Sequence, residues 1–216
     1  MVKEESKEYI AGSKERLIHN PHIYFIATII GIVLYLVLDI IAQLLPPHYS
    51  FITQAESDLA VGPYGYVMAV NFLIRGLFSL SFIIGLIIIF SSVKSRYRAG
   101  LILFGIWSIG AFILAFFPAD ITPPSTLHGM IHGITAIAIF LGSSLGILIL
   151  SIRMRIDHEF KDITRYLLLL SIFSVIILAS MLLGSLVHLF GLIERIFLAS
   201  IILWMLIISI YILKKR

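Results

Sequence analysis

Two histidines, His128 and His132, stand four positions apart within a long apolar segment. At this spacing both imidazole rings lie on one face of a helix, an arrangement that can bind one metal ion. Asp120 precedes them and could act as a third ligand or fix a histidine tautomer, and His188 is a further candidate ligand. Because the chain has no cysteine, the ligands would be histidine and carboxylate, which suit Zn, Fe or Mn. Histidines that only hydrogen-bond within a polar helix bundle are the alternative interpretation.

Charged and amide side chains also occur inside two other apolar segments. Asp39 lies in the first of them, and Asn71 and Arg75 lie one helical turn apart in the second. A charged side chain is costly in hydrocarbon, so Arg75 should point into the protein, toward a carboxylate on a neighbouring helix. We therefore expect an ion pair between Asp39 and Arg75. The alternative is that Arg75 anchors a phosphate or carboxylate group of a substrate.

The elements that position these side chains are predicted to be helices that cross a membrane. Of the 216 residues, 60% are hydrophobic and 13% are charged, whereas soluble chains average about 45–50% and about 25%. A helix needs about 20 apolar residues to cross the hydrocarbon core, where lipid offers the backbone no hydrogen-bond partner. We therefore predict an all-α membrane protein, a bundle of six transmembrane helices. The six apolar segments are Ile23–Leu45, Tyr64–Phe90, Leu101–Phe117, Leu127–Leu150, Tyr166–His188 and Ile193–Leu213.

The basic residues indicate how this bundle is oriented. The N-terminal tail, the second and fourth connections and the C-terminus together hold 14 of the 16 Lys and Arg residues. Since basic connections stay in the cytoplasm, both termini should be cytoplasmic. The predicted division is a cytoplasmic tail over residues 1–22, a transmembrane domain over 23–213 and a basic C-terminus over 214–216. The six spans predict a multi-pass protein of the cell membrane. Because the chain starts with a polar segment, we expect no cleaved signal peptide.

With this orientation, nearly every ionisable group within the spans falls in the outer half of the membrane. Such segregation predicts a polar chamber that opens to the outside, because a chamber keeps these groups away from lipid. The net charge of +4 reflects the basic inner face beside anionic lipids. The expected partner is therefore the lipid bilayer, and nucleic acid is not expected.

Short motifs recur in an order that resembles the membrane family called domain of unknown function 998. The resemblance covers most of the chain from Asp39 onward. It implies a six-span bundle in which Asp58, Asp120, His128 and Glu194-Arg195 occupy the motif positions of the family, and it implies no reaction. The motifs are Ser57-Asp58-Leu59, Gly62-Pro63, Asn71-Phe72, Gly76, Phe117-Pro118-Ala119-Asp120, His128-Gly129, His132 and Gly191-Leu192-Ile193-Glu194-Arg195.

Three kinds of function fit these features. The first is a metal-dependent intramembrane hydrolase of a lipid or lipid-linked substrate, in which the metal activates a water molecule. There Asp58 or Glu194 would move the proton, and Arg75 or Arg195 would hold a headgroup. The second is a non-enzymatic protein that binds or transports an ion, a proton or a small molecule. The third is a b-haem protein with His132 and His188 as axial ligands, or a membrane subunit in which the polar groups are structural.

Overall fold

The computed structural model describes residues 20–184 and 188–215, and for Lys94, Leu182 and Gly184 it describes the backbone alone. Six long helices account for most of these residues, and the described residues contain no β-strand. All six are long and apolar enough to cross a membrane. The predicted fold class is therefore confirmed. The helices are α1 (Pro21–Leu44), α2 (Gly65–Ile89), α3 (Lys94–Phe116), α4 (Leu127–Met154), α5 (Thr164–Gly184) and α6 (Phe190–Lys214).

The helix boundaries differ from the sequence-based ones by up to seven residues, and two of these differences affect charged or candidate residues. Helix α3 begins at Lys94, seven residues before the predicted start at Leu101, so the basic residues there occupy its first turns. Helix α5 ends at Gly184, and His188 lies in the following connection with a φ of 54°. The predicted tail over residues 1–22 lies outside the described residues except for its last three, and so does Arg216.

The helix ends have local causes. Pro21 occupies the first turn of α1, where its missing N–H costs nothing, and the Asn20 side chain accepts a hydrogen bond from the His22 N–H at 3.1 Å. Pro46-Pro47 follows the end of α1 and stops the helix. The connection over residues 45–64 contains a short 3₁₀ helix, Glu56–Ala60.

The centre of the bundle is an aromatic cluster around Phe82 of α2. The Phe82 ring contacts Phe25, Phe104 and Trp204 edge-on, at centroid distances of 5.8, 5.9 and 5.7 Å. These rings come from α1, α3 and α6, so four helices meet at one apolar point. Burial of such large rings and their edge-to-face contacts stabilise the bundle where it carries no charge.

The connections lie at two ends of the bundle. The long connection 45–64 meets the start of α6, where the Leu192 N–H donates to the Ile52 carbonyl at 3.0 Å. We call this the long-loop end. At the opposite, basic end, the connections 90–93 and 155–163 come together, and the Tyr97 hydroxyl of α3 donates to Asp157 at 2.9 Å. The polar candidate residues within the helices lie toward the long-loop end.

Candidate functional site

Three polar residues of α1 lie on one helical face, because Tyr35, Asp39 and Gln43 are spaced by four positions. The Tyr35 hydroxyl donates a hydrogen bond to the Glu56 carboxylate of the 3₁₀ helix. Gln43 Nε2 donates to Asp39 Oδ2 at 2.6 Å. The other Asp39 oxygen, Oδ1, is buried and has no hydrogen-bond partner among the described residues. This face of α1 therefore forms one wall of a polar region.

Arg75 pairs with Glu56 and not with Asp39, so the predicted Asp39–Arg75 ion pair is wrong. The distance from Arg75 Nη1 to Glu56 Oε2 is 3.3 Å, and both side chains are 3% exposed. The reason is the long connection, which folds back onto the helices and places the 3₁₀ helix between α1 and α2. Glu56 thereby receives the Tyr35 hydroxyl on one oxygen and the guanidinium on the other.

The surroundings of Arg75 combine aromatic faces with polar atoms that lack partners. Its guanidinium carbon lies 4.7 Å from the ring centroid of Phe72 and 5.0 Å from that of Trp107, within cation–π range. Asn71, one turn away, is fully buried, and its side-chain amide has one hydrogen-bond partner among the described residues, the Met68 sulfur at 3.9 Å. Arg75 Nε, Asn71 Oδ1 and Trp107 Nε1 have no hydrogen-bond partner within the described part of the chain.

Glu194, in the first turn and a half of α6, completes this region. It is 5% exposed, and its Oε2 accepts a hydrogen bond from the backbone N–H of Glu56 at 2.7 Å. Among the described residues it forms no ion pair. We call Tyr35, Asp39, Glu56, Arg75 and Glu194 the buried charge cluster. It joins α1, the 3₁₀ helix, α2 and α6 through side chains that are largely removed from solvent.

Arg195 fastens the long connection to α6. Its guanidinium donates to the carbonyls of Phe51 and Gln54 at 3.2 Å each, to the Gly191 carbonyl at 3.1 Å and to the Tyr49 hydroxyl. Gly191 permits this contact, since a Cβ there would lie 2.1 Å from the Gln54 carbonyl oxygen. The motif that begins at Gly191 therefore has a structural role, which is to hold the 45–64 connection over the cluster.

Two ionisable groups of this connection have altered pKa values. Burial raises the pKa of Asp58, although a hydrogen bond from the Ala55 N–H and the nearby His132 and Arg195 side chains act in the opposite sense. Burial also raises the pKa of Tyr49 to about 12, despite the nearby guanidinium of Arg195. Tyr49 therefore remains a neutral donor, and its hydroxyl binds the Ala55 carbonyl at 2.8 Å.

The two histidines of α4 do lie on one helical face, as their spacing predicts, and both contact Phe117. His132 is buried, with Nδ1 2.7 Å from the Phe117 carbonyl oxygen, at the end of α3. His128 is exposed, and its ring meets the Phe117 ring edge-on at 5.3 Å. The pair therefore holds the end of α3 against the start of α4.

Asp120 bonds to the N-terminus of α4 and not to a histidine. Its two oxygens accept hydrogen bonds from the Thr126 N–H and hydroxyl at 2.6 and 2.9 Å, while Thr126 caps the helix through the Gly129 N–H. Gly129 allows this approach, since a Cβ there would lie 2.0 Å from Asp120 Oδ2. A carboxylate at this position also suits the helix dipole.

The predicted metal ligands are therefore not assembled into one site. No group of three or more His, Asp or Glu side chains within the described residues is placed to hold a metal ion. Asp120 is engaged by Thr126, and His132 by a backbone carbonyl. His188 is an exposed residue of the connection before α6. The expectation that His128, His132, Asp120 and His188 bind Zn, Fe or Mn stays a prediction without support from this geometry.

Sequence reasoning missed Glu56, the residue on which the cluster is centred. Glu56 lies in a polar connection between proline-containing turns, where a carboxylate gives no signal of burial. Tyr35 could have been recognised, because it stands one turn before Asp39 on the same face of α1. Tyr49 carries no sequence signal, since its role depends on where the connection docks.

Residues 29–211, most of the chain, match the family described as "Protein of unknown function (DUF998)". The chain belongs to this family. Comparisons with curated proteins and with solved structures gave no match.

In this member of the family, the positions that the resemblance singled out fall into two groups. Glu194 and Arg195 lie at the buried charge cluster and its covering connection, and Asp58 lies nearby in that connection. Asp120 and His128 lie instead at the α3–α4 turn, where both stabilise the start of α4. The cluster is therefore the better candidate for function, because its charges are costly and do not merely cap a helix.

Proposed function

We propose that this protein is a non-enzymatic membrane protein that binds protons at the buried charge cluster and couples them to transport or ligand binding. The observation that carries the proposal is an excess of carboxyl groups over cations in a region largely removed from solvent, where Glu56 and Glu194 are buried and Asp39 is half-buried. Asp39, Glu56 and Glu194 lie together, and Arg75 is the one cation of the described residues that is ion-paired with them. An unpaired carboxylate is costly in a medium of low dielectric constant, and protonation removes that cost.

The contacts support different roles for the three carboxyl groups. Glu56 has both oxygens bonded, one by Tyr35 and one by Arg75, so its charge is compensated within the cluster. Asp39 has one oxygen bonded to Gln43, and its other oxygen is buried without a hydrogen-bond partner among the described residues. Glu194 has one backbone donor and no cation partner in the described chain. We therefore assign the exchangeable protons to Asp39 and Glu194.

Arg195 does not supply the missing charge. Its guanidinium is directed to three backbone carbonyls and to the Tyr49 hydroxyl. The connection that it fastens separates the cluster from the solvent at this end of the bundle. Release of the connection would therefore give protons access to Asp39 and Glu194, which is the kind of gate that proton coupling requires.

Infrared spectroscopy of the purified protein tests the proton assignment directly. Protonated carboxyl groups have a C=O band distinct from that of carboxylates, and Asp39→Asn and Glu194→Gln should each remove part of it at neutral pH. Asp120→Asn is the matched control, because Asp120 is exposed and bonded at a helix start. If neither cluster variant changes the protonated band, the proposal is wrong.

Proton movement is tested in liposomes that contain the protein and a pH-sensitive dye. Under an imposed membrane potential, liposomes with the unaltered protein or with Asp120→Asn should show a proton flux, either alone or when a transported substrate is added. Liposomes with Glu194→Gln should show no such flux. Equal flux in the Glu194→Gln and unaltered liposomes would contradict coupling through this residue.

The metal-dependent hydrolase predicted from the sequence has less support than proton binding. It needs ligands that converge, and the described His, Asp and Glu residues form no such group of three or more. Elemental analysis of the purified protein tests it, since a metal site would give stoichiometric Zn, Fe or Mn. We also propose that the long-loop end faces the outside of the cell, because most of the Lys and Arg residues belong to the other end.

A further inference from the structure

A second polar site lies at the basic end of the bundle, away from the buried charge cluster. A pocket of about 310 Å³ opens there between the α2–α3 and α4–α5 connections. This volume is at the lower end of the range of small-molecule sites, about 300–1,000 Å³. The lining contains apolar and charged residues, and we call the charged ones, Arg96, Asp157, His158 and Glu159, the charged wall. The residues are Ile89, Phe90, Ser92, Val93, Arg96, Ile156, Asp157, His158 and Glu159.

The charged wall carries groups of both signs that are free to bind a ligand. Arg96, the His158 imidazole and the Glu159 carboxylate have no hydrogen-bond or ion-pair partner among the described residues. Asp157 is already engaged, since it accepts hydrogen bonds from the Tyr97 hydroxyl at 2.9 Å and from the Glu159 N–H at 3.1 Å. The available charges are therefore a guanidinium and a carboxylate in the lining of one pocket.

We propose that this pocket binds the phosphoethanolamine headgroup of a membrane phospholipid. Arg96 matches the phosphate, because a guanidinium donates two parallel hydrogen bonds to phosphate oxygens. Glu159 matches the ammonium group, whose three N–H donors need an acceptor. Ile89 ends α2 and Ile156 follows the end of α4, so in a bilayer these apolar side chains would lie near the membrane surface and contact the glycerol and the start of the acyl chains.

The balance of charge selects among phospholipids. An anionic headgroup such as phosphatidylglycerol would meet Arg96 but also the two carboxylates of the pocket, Asp157 and Glu159. A choline headgroup has a cation without N–H donors, so it cannot hydrogen-bond to Glu159. Of these three headgroups, only ethanolamine offers both a phosphate for Arg96 and a cationic N–H donor for Glu159. The site is independent of the proton assignment, which concerns the other end of the bundle.

Native mass spectrometry of the detergent-solubilised protein, titrated with lipids of equal acyl chains, tests the proposal. We expect phosphatidylethanolamine to bind about tenfold more tightly than phosphatidylcholine or phosphatidylglycerol, a difference of about 1.4 kcal/mol. Glu159→Gln should remove the preference for ethanolamine over choline. Arg96→Gln should weaken both of these lipids about tenfold, and Arg96→Lys should retain part of the affinity.

Arg98→Gln is the matched control. Arg98 is an exposed arginine of α3, as Arg96 is, but it lines a different, apolar groove. Arg96 and Glu159 are exposed, so their variants should fold, and melting temperatures verify this. Equal effects of Arg96→Gln and Arg98→Gln, or no preference among the three lipids, would overturn the proposal. Soluble phosphoethanolamine distinguishes a lipid from a free ligand: weaker binding than the lipid supports the proposal, and equal binding contradicts it.

Discussion

At the scale of single residues, Glu56 organises the polar side chains of the long-loop end. It accepts from Tyr35 of α1 and from Arg75 of α2, and its backbone N–H donates to Glu194 of α6. One residue of a connection thereby links three helices. Because the Glu56 and Arg75 side chains are each 3% exposed, removal of either one leaves a buried charge without its partner.

The first prediction concerns this ion pair. Arg75→Leu alone should lower the free energy of unfolding by about 3–5 kcal/mol, since Glu56 would keep an uncompensated buried charge. Arg75→Leu combined with Glu56→Gln should cost less than the sum of the two single changes. Thermal and denaturant unfolding in detergent measure the coupling. Arg75→Leu combined with Asp39→Leu is the control. A larger coupling energy between Arg75 and Asp39 than between Arg75 and Glu56 would contradict the observed ion pair.

The second prediction concerns Asp58, whose pKa is raised by burial. The folded protein then binds this proton more tightly than the unfolded chain, so stability from Asp58 is greatest at acid pH. It falls as pH rises from the ordinary value of 3.8 through the raised folded value. Asp58→Asn should abolish this decline while retaining an acceptor for the Ala55 N–H. Unfolding measured as a function of pH gives this slope. The same slope in Asp58→Asn as in the unaltered protein would contradict the prediction.

Residue types and spacing predicted part of this arrangement. A buried partner for Arg75 follows from the cost of charge in hydrocarbon, and so does the position of Glu194 near the polar region. The identity of the partner does not follow, because Glu56 belongs to a connection whose path depends on contacts with α6. The histidine pair shows the reverse case. Its shared face was predictable, but its role against Phe117 depends on where α3 ends.

At the scale of elements, the 45–64 connection behaves as a docked segment. Leu192 donates to the Ile52 carbonyl, and Arg195 binds the Phe51 and Gln54 carbonyls. The 45–64 connection has little regular structure of its own. Its backbone carbonyls thus accept hydrogen bonds from side-chain and backbone donors of α6. The apolar segments on either side predicted a long connection here, but no periodic pattern in the sequence marks a docking surface.

The third prediction tests this docking. Gly191→Ala would place a Cβ 2.1 Å from the Gln54 carbonyl oxygen and 2.7 Å from that of Phe51. Since backbone cannot move aside as a side chain does, the connection should detach at a cost of about 1–3 kcal/mol. Hydrogen exchange should then accelerate in residues 49–56. Gly105→Ala is the matched control, because a Cβ there meets no atom within 4 Å. Equal protection in both variants would show that the docking does not depend on Gly191.

At the scale of the whole molecule, charge is divided between two ends. The buried charge cluster lies toward the long-loop end, and the phosphoethanolamine pocket lies at the basic end beside Arg96. The apolar centre around Phe82 and Trp204 separates them. The six membrane spans and the unequal distribution of charge between the two ends follow from composition and periodicity alone, since the hydrocarbon core of a membrane permits few alternative structures. Which groups face each other inside the bundle requires the packing of the helices.

The last prediction is the orientation of the bundle, which single cysteines can report. The natural chain has no cysteine, so a membrane-impermeant thiol reagent has no background on the protein. Thr53→Cys places an exposed thiol in the 45–64 connection, and Ser91→Cys places one between α2 and α3. If basic connections stay inside, intact cells should label the first variant, and the second only after the membrane is opened. Labelling of Ser91→Cys in intact cells would reverse the orientation. It would place the buried charge cluster toward the cytoplasm and the headgroup pocket in the outer leaflet.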